Sequence, residues 1–312
     1  MKLIAITTGD SDGIGFEVTA KALSKIGPQA NTQFLLFRQP QSEVLYLPIL
    51  DKKFNRIVVP SLEAALSLKN QDSKTLFDIC SKVSAPKNVE IAAKACFKKK
   101  IHGLVTAPLS KTLIQSSGYR AKGHTEILQN VSKTKNVHMT FIGKNFNVLL
   151  ATGHMPVAKV SASLNVKTLQ AAIQNADLLK KILPPKIANK PIALVGLNPH
   201  AGENGLLGQE EILTFKKVLK KFPSVLGPLV PDAAFLKKNW PLYSVYICCY
   251  HDQGLIPFKL VHGTQSGYHL TLGLPFVRTS VDHGTAKDIF GKNQADASSM
   301  KEAILACIQL AK

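Results

Sequence analysis

The stretch that most constrains this chain is Val245–Lys259, V-Y-I-C-C-Y-H-D-Q-G-L-I-P-F-K. Six apolar, β-favouring residues break abruptly into His251, Asp252, Gln253 and Gly254. A continuous apolar run ended by a polar, glycine-bearing break predicts a strand buried on both faces. Open α/β sheets bind ligands just beyond the carboxyl ends of such strands. The same grammar recurs at Asn147–Thr152, followed by Gly153, His154, Met155 and Pro156. It recurs again at Pro191–Leu197, followed by Asn198, Pro199, His200, Ala201, Gly202 and Glu203. One histidine in such a place reads as a structural hydrogen bonder, whereas three in equivalent places predict a shared metal site. Three neutral imidazoles leave coordination positions open, the catalytic form of a zinc-type centre. Asp252 and Asp232 are candidate ligands, partners of the ligands, or proton acceptors.

A chain of 312 residues has room for two domains or one large one, with a sizeable core. Its 45% hydrophobic and 19% charged fractions are those of a globular protein. No apolar run is long enough to span a bilayer, and the opening M-K-L-I-A-I-T-T-G-D reads as a first strand rather than a signal peptide. Five cysteines without a C-x-x-C pair predict reduced thiols, and with them a cytoplasmic protein without a membrane partner. The net charge of +19 raises nucleic-acid binding. Only four of the 39 basic residues are arginine (Arg38, Arg56, Arg120 and Arg278), the residue that bidentate phosphate and base-edge recognition favours. The lysines fall in helical stretches such as Lys98–Lys100 and 216–221, which predicts a solvated basic surface and no nucleic-acid partner. Steering of small anionic substrates is a weaker role for that charge.

Lys2–Thr8 reads as a strand and Phe16–Ile26 as a helix, joined by the glycine-rich turn Gly9–Gly15. Such a turn can offer backbone N–H groups to phosphate, although it is not G-x-G-x-x-G. Further strands are predicted at Gln33–Phe37, Arg56–Val59 and Gly103–Thr106, and a hairpin at Thr140–Ile142 with Asn147–Ala151. Helices are predicted at Ser61–Leu68, Asn88–Lys99 and Leu169–Ile182, and from near Asp296–Ser298 to the C-terminus. His124 and Thr125 sit in a loop before an apolar helix, and a polar, glycine-rich segment runs from Gly263 to Gly267. Strands alternating with helices predict an α/β fold with a mixed, largely parallel sheet.

Six motifs, in order, resemble one family. They are T-G-D-S-D-G-I-G-F-E, G-L-V-T-A-P-L-S-K, G-H-T-E, L-N-P-H-A-G-E-N-G, Y-H-D-Q-G-L-I-P-F-K and T-L-G-L-P-F-V-R-T-S-V-D-H-G-T-A, running from Thr8 to about Gly291. The family is 4-hydroxythreonine-4-phosphate dehydrogenase, an enzyme of pyridoxal phosphate synthesis, with echoes of the wider isocitrate and isopropylmalate dehydrogenase group. The resemblance implies two α/β/α domains, residues 1–128 with 263–312 on the cofactor side and 129–262 on the metal and dimer side. It places the active site in the inter-domain cleft of a homodimer. It also implies NAD- or NADP-dependent oxidation of the C3 alcohol of 4-phosphooxy-L-threonine. It further implies one divalent metal per subunit (zinc, cobalt or magnesium), held by His154, His200 and His251 across the dimer interface.

The substrate contacts implied by resemblance are His124 and Thr125 of G-H-T-E, Lys259, and Arg278. His269 stands where the family has asparagine. Ser11-Asp12 and Phe16 replace a family Pro-Ala and Pro, and P-D-A-A-F at Pro231–Phe235 keeps Asp232 but loses a neighbouring threonine. The loop His283, Gly284, Thr285 and Ala286 is implied to take the adenosine end of the cofactor. The proton acceptor stays open between Asp252, Asp232, Lys259 and a metal-bound water. Because of His269, a sister reaction on 4-phospho-erythronate or 4-phospho-threonate is the alternative. A basic nucleic-acid binder on the same scaffold is the rival from another class.

Overall fold

The computed structural model describes residues 1–41, 44–68, 72–263 and 267–312, so the core of the predicted polar segment, 264–266, lies outside the described residues. The chain divides into two compact units. The first comprises Met1–Lys135, Thr264–Leu270 and Leu274–Lys312, and the second Asn136–Gly263 with Thr271–Gly273. Both are α/β, with mixed and mostly parallel strands.

In the first unit the strands run in the order β3 (Asn55–Val59), β4 (Thr75–Cys80), β2 (Thr32–Arg38), β1 (Lys2–Thr7), β5 (Gly103–Thr106), β12 (Val277–Ser280) and β11 (Tyr268–Leu272), of which the residues up to Leu270 belong to this unit. All neighbours are parallel except β11 and β12, which pair antiparallel at His269 with Ser280 and Leu270 with Thr279. Alternate residues enter two separate cores, as a period of two demands. Ile4, Ile6, Phe34 and Leu36 pack with the helices Gly15–Ile26 and Ser298–Leu310. Ala5, Leu35, Phe37 and Phe77 pack with the helices Ala85–Phe97 and His124–Ser132. Helices thus cover both faces, the condition under which parallel strands lose their polar alternation.

In the second unit the order is β6 (His138–Ile142), β7 (Asn147–Leu150), β10 (Val245–Cys248), β8 (Ile192–Val195) and β9 (Val225–Leu229). The β6–β7 pair is the predicted hairpin, and the remaining pairs are parallel. Val148, Leu150, Tyr246 and Cys248 form one core with Leu255 and Phe258 of the helix His251–His262. The intervening Leu149, Leu194 and Ile247 are buried as well, which makes β7, β8 and β10 the two-sided strands that their apolar runs predict. One local expectation changes. The H-D-Q-G break is the first turn of a helix, although that helix carries Gly254 and Pro257 inside it. Gly254 has a steric reason, since a Cβ there would stand 2.5 Å from Val148 Cγ1 and 3.0 Å from Leu150 Cδ2.

Gly254→Ala is therefore expected to cost about 1–3 kcal/mol by lifting this helix off β7, read as a lower midpoint in urea unfolding. A second expectation concerns His138, buried and accepting a 2.6 Å hydrogen bond from Asn175 Nδ2 at its Nδ1. Burial pushes this imidazole down to about 4. The unfolded chain takes up the proton near the ordinary histidine value, so the contribution is intact above about pH 6.5 and is lost as pH falls toward 4, up to about 2–3 kcal/mol. Urea midpoints measured at pH 7 and pH 5 are expected to differ less in His138→Gln than in the parent.

Candidate active site

Two sets of candidate side chains form, one in each unit. In the first unit Arg278 lies on β12, 3% exposed. Its Nε donates to Thr106 Oγ1 at 3.2 Å, its Nη2 donates to the same oxygen, and its Nη1 meets His269 Nδ1 at 2.9 Å. Because the guanidinium can only donate, His269 Nδ1 accepts, so in its neutral form the ring carries its proton on Nε2. Ser280 Oγ lies 2.9 Å from the same nitrogen. Burial pulls Arg278 down to about 9, which leaves it cationic at neutral pH.

His124 and Thr125 are not in a loop, as the sequence suggests, but open the helix His124–Ser132 after an extended Gly123. Burial first, then the charge of Arg278, drives His124 down to about 3, so the ring is neutral, and its Nε2 is buried with no partner. A buried cation close to an unsatisfied imidazole nitrogen suits a small polar anion, because a buried polar group without a partner costs about 1–3 kcal/mol.

The glycine-rich turn is tied into the fold by its backbone. Asp10 N–H donates to Pro108 O, Gly13 N–H to Asp10 O and Ile14 N–H to Thr285 O, so these three donors are already engaged within the fold. Gly9 adopts φ +73°, and a Cβ there would lie 2.0 Å from Pro108 O, which is why no side chain fits. The loop carrying His283, Gly284, Thr285 and Ala286 is therefore seated against this turn. Lys287 strengthens the seat, with Nζ 2.7 Å from Asp12 Oδ2 and 3.3 Å from Asp10 Oδ2. The buried His283 Nε2 has no partner, an observation that fits a ligand at this loop.

In the second unit His154 follows β7, His200 follows β8, and His251 opens the helix after β10. The rings of His154 and His251 stand 4.9 Å apart between centroids. His251 Nδ1 is 2.6 Å from Asp252 Oδ1, an arrangement that fixes the ring and leaves Nε2 for a ligand. His200 lies in the segment Pro199–Gly205, where His200, Ala201, Gly202, Glu203 and Asn204 all adopt positive φ, from 41° to 79°. Left-handed backbone costs about 1–2 kcal/mol for each non-glycine residue, so something must hold this turn. The short helix Pro231–Ala234, which carries the exposed Asp232, lies beside it, and Lys259 is exposed on the helix His251–His262. Among the described residues of the single chain, no group of three or more His, Cys, Asp or Glu side chains could hold a metal ion. Two imidazoles with a carboxylate behind one of them nevertheless make a donor set suited to a divalent cation.

Sequence reasoning did not find Glu211. It is 3% exposed, and its Oε1 accepts the N–H groups of Leu197 and Asn198, each at 2.8 Å. The E-E dipeptide that begins ten residues after the histidine of N-P-H is its only signal, and nothing in composition marks an acid as buried.

Comparison with known proteins bears on both sets. Residues 61–307 match the family described as pyridoxal phosphate biosynthetic protein PdxA. A 4-hydroxythreonine-4-phosphate dehydrogenase of Sulfurihydrogenibium sp. (strain YO3AOP1) is 37% identical over 99% of this chain and 98% of its own. A D-threonate 4-phosphate dehydrogenase of Pectobacterium atrosepticum is 32% identical over 99% of both chains. The crystal structure of a 4-hydroxythreonine-4-phosphate dehydrogenase from Klebsiella pneumoniae superposes with a TM-score of 0.79 at 28% identity, covering 100% of each chain. An isocitrate dehydrogenase from Methylococcus capsulatus, 13% identical and covering 99% of this chain and 85% of its own, shares the fold with a TM-score of 0.51. With that match over most of its length and relatives this similar end to end, the chain belongs to the PdxA family of pyridoxal phosphate biosynthetic proteins.

Proposed function

We propose that this enzyme oxidises the C3 alcohol of 4-phosphooxy-L-threonine with NAD or NADP, in the presence of a divalent metal. The product, 2-amino-3-oxo-4-phosphooxybutanoate, then loses its carboxylate to give 3-amino-2-oxopropyl phosphate, on the route to pyridoxal phosphate. The observation that carries this reading is the buried Arg278 with Thr106, His269 and His124 around it, in a chain whose relatives act on phosphorylated hydroxy acids. Arginine presents a planar fork to phosphate or carboxylate. His269, with its proton on Nε2, offers a donor where the family has an amide. Thr125, next to His124, adds a hydroxyl at the start of the same helix.

His154, His200 and His251 would hold the metal, which supplies Lewis-acid polarisation of the substrate oxygen. The loop from His283 to Ala286 would hold the adenosine end of a nicotinamide cofactor, which would supply a hydride acceptor when bound. Asp252 is engaged in orienting His251, so it serves the ring rather than the substrate. Taking the alcohol proton falls to Lys259 or Asp232, both exposed in the second unit. Where Asp232 takes the proton, Lys259 keeps its charge and can instead hold an anionic group of the substrate.

The assay that tests this supplies saturating Mg²⁺, Zn²⁺ or Co²⁺ and follows reduced nicotinamide by the near-ultraviolet absorbance that both cofactors share. 4-Phosphooxy-L-threonine is expected to turn over, and His200→Ala to lose about 100-fold or more in kcat/KM. Unchanged turnover in that variant rules out the metal reading. The D-threonate relative and His269 favour a second reading, oxidation of 4-phospho-threonate or 4-phospho-erythronate. A higher kcat/KM for either substrate, at matched metal and cofactor, selects it.

We also propose a homodimer that docks through the helix His251–His262. Ile256 and Leu260, four residues apart, are 66% and 83% exposed on the helix that carries His251. Such a pair facing water at a helical spacing suits a second copy of the chain. Leu260→Asp is expected to shift the mass seen by light scattering from two chains to one and to weaken metal binding with it. A fully active monomer refutes the proposal. Among the described residues no helix is long and apolar enough to cross a membrane. The five free cysteines, four of them buried, suit a reducing compartment.

A further inference from the structure

The left-handed run from His200 to Asn204 has an anchor, and the anchor is a carboxylate. Glu211 Oε1 accepts both Leu197 N–H and Asn198 N–H at 2.8 Å, at the point where the chain leaves β8. Its Oε2 accepts Asn198 Nδ2 at 2.8 Å, and the same amide also donates to Glu210 Oε2 at 2.9 Å. Glu210 Oε1 in turn accepts from Ser161 Oγ. On the other side the carboxylate meets Gly202, where a Cβ would stand 2.8 Å from Oε2. One buried side chain therefore fixes the entry to the turn and touches its middle residue, with His200 between the two. The turn closes on itself through Leu207 N–H to Gly202 O at 3.1 Å and Gln209 Nε2 to Gly205 O at 2.9 Å.

A left-handed turn of four non-glycine residues persists only when its surroundings over-determine it. Charged acceptors form the stronger hydrogen bonds, and Glu211 gives them to two consecutive backbone donors. Glu211 opens a π-helical turn, Glu211–Phe215, a distortion frequently found at functional sites.

We infer that Glu211 is a positioning residue, which holds His200 in the one backbone arrangement that offers its imidazole to the divalent cation. This rests on His200 being a metal ligand, as proposed above. Glu211 acts through His200 and does not itself touch the metal. A glutamine at this position has one acceptor oxygen in place of two, so it cannot satisfy Leu197, Asn198 and the Asn198 amide together.

The test is Co²⁺ binding by the full-length protein in a double-mutant cycle, with the visible Co²⁺ spectrum as a second readout. His200→Ala and Glu211→Gln are each expected to weaken Co²⁺ binding about 10- to 100-fold. The double variant is expected to bind no more weakly than His200→Ala alone, because both changes remove the same ligand. The Glu211→Gln spectrum is expected to move toward that of His200→Ala. Gly202→Ala supplies an independent route, since its Cβ displaces the carboxylate from the other side, and it carries the test if Glu211→Gln does not fold. A variant that unfolds at lower temperature yet keeps parental Co²⁺ affinity and spectrum shows a merely structural carboxylate and overturns the inference. Losses that add in the double variant overturn it as well. Parental Co²⁺ affinity in His200→Ala overturns the metal reading beneath it, an outcome distinct from the other two.

Discussion

Burial of the parallel strands on both faces is the constraint on which the rest depends. When β1, β5, β7, β8 and β10 have helices or apolar side chains on either side, no polar group can reach solvent from their interiors. In these strands chemistry is confined to the carboxyl ends and the residues beyond them. Each candidate set follows from this in turn. Thr106 closes β5 and receives Arg278, while His154, His200 and His251 each follow a strand whose residues are fully or almost fully buried. The strands are short, four residues in β5, β7, β8 and β10, so a shift of one residue in where a strand ends moves the residue that follows by about 3.3 Å and turns it to the opposite face. Side-chain anchors remove that freedom: Asp252 for His251, Glu211 for the His200 turn, and Thr152, whose hydroxyl donates to Cys249 O at 2.7 Å, for the exit of β7.

What the sequence reveals and what it hides divide along the same line. The apolar runs around Val148, Leu194 and Ile247 are plain because a strand covered on both faces requires continuous hydrophobicity, and they point to the histidines that follow. The strand Thr75–Cys80 escapes notice because Asp78 interrupts its apolar run. Asp78 is fully buried, and its charge is met by Arg38 at 2.8 Å and Arg56 at 2.7 Å, partners 40 and 22 residues away in sequence. The helix His251–His262 is disguised by Gly254 and Pro257, which read as breakers. Gly254 is there because β7 lies too close for a side chain. The His200 turn is hidden more deeply, since its backbone is set by a carboxylate that composition cannot distinguish from a surface acid.

The charge distribution has a similar logic. Asp10, Glu17, Asp78 and Glu211 are buried and bonded within the fold. Three of the four arginines also serve internal contacts: Arg38 and Arg56 on Asp78, and Arg278 on Thr106 and His269. The positive surface is therefore made almost wholly of lysine, whose compact, hydrated charge attracts anions at a distance without specifying geometry. Geometry is left to the buried arginine, which suits the phosphorylated substrate and nicotinamide cofactor proposed above.

The Asp12 departure from the family pattern can be read the same way. Alone, a carboxylate on the glycine-rich turn would repel a phosphorylated ligand. Here Lys287 reaches it at 2.7 Å and also lies 3.3 Å from buried Asp10, whose other oxygen accepts Ser110 N–H at 2.9 Å. The hydrogen bond to Asp12 is the main influence raising the Lys287 pKa, so the lysine stays charged and the added negative charge is met locally. An exposed pair of this kind contributes less than about 1 kcal/mol to stability. Its consequence is positional. It ties the segment after Ala286 to the turn that already receives Thr285 O through Ile14 N–H, so a loop of small residues gains a second fixed point. A departure that adds a negative charge to this turn is thereby accommodated by a lysine only two residues beyond the loop's threonine.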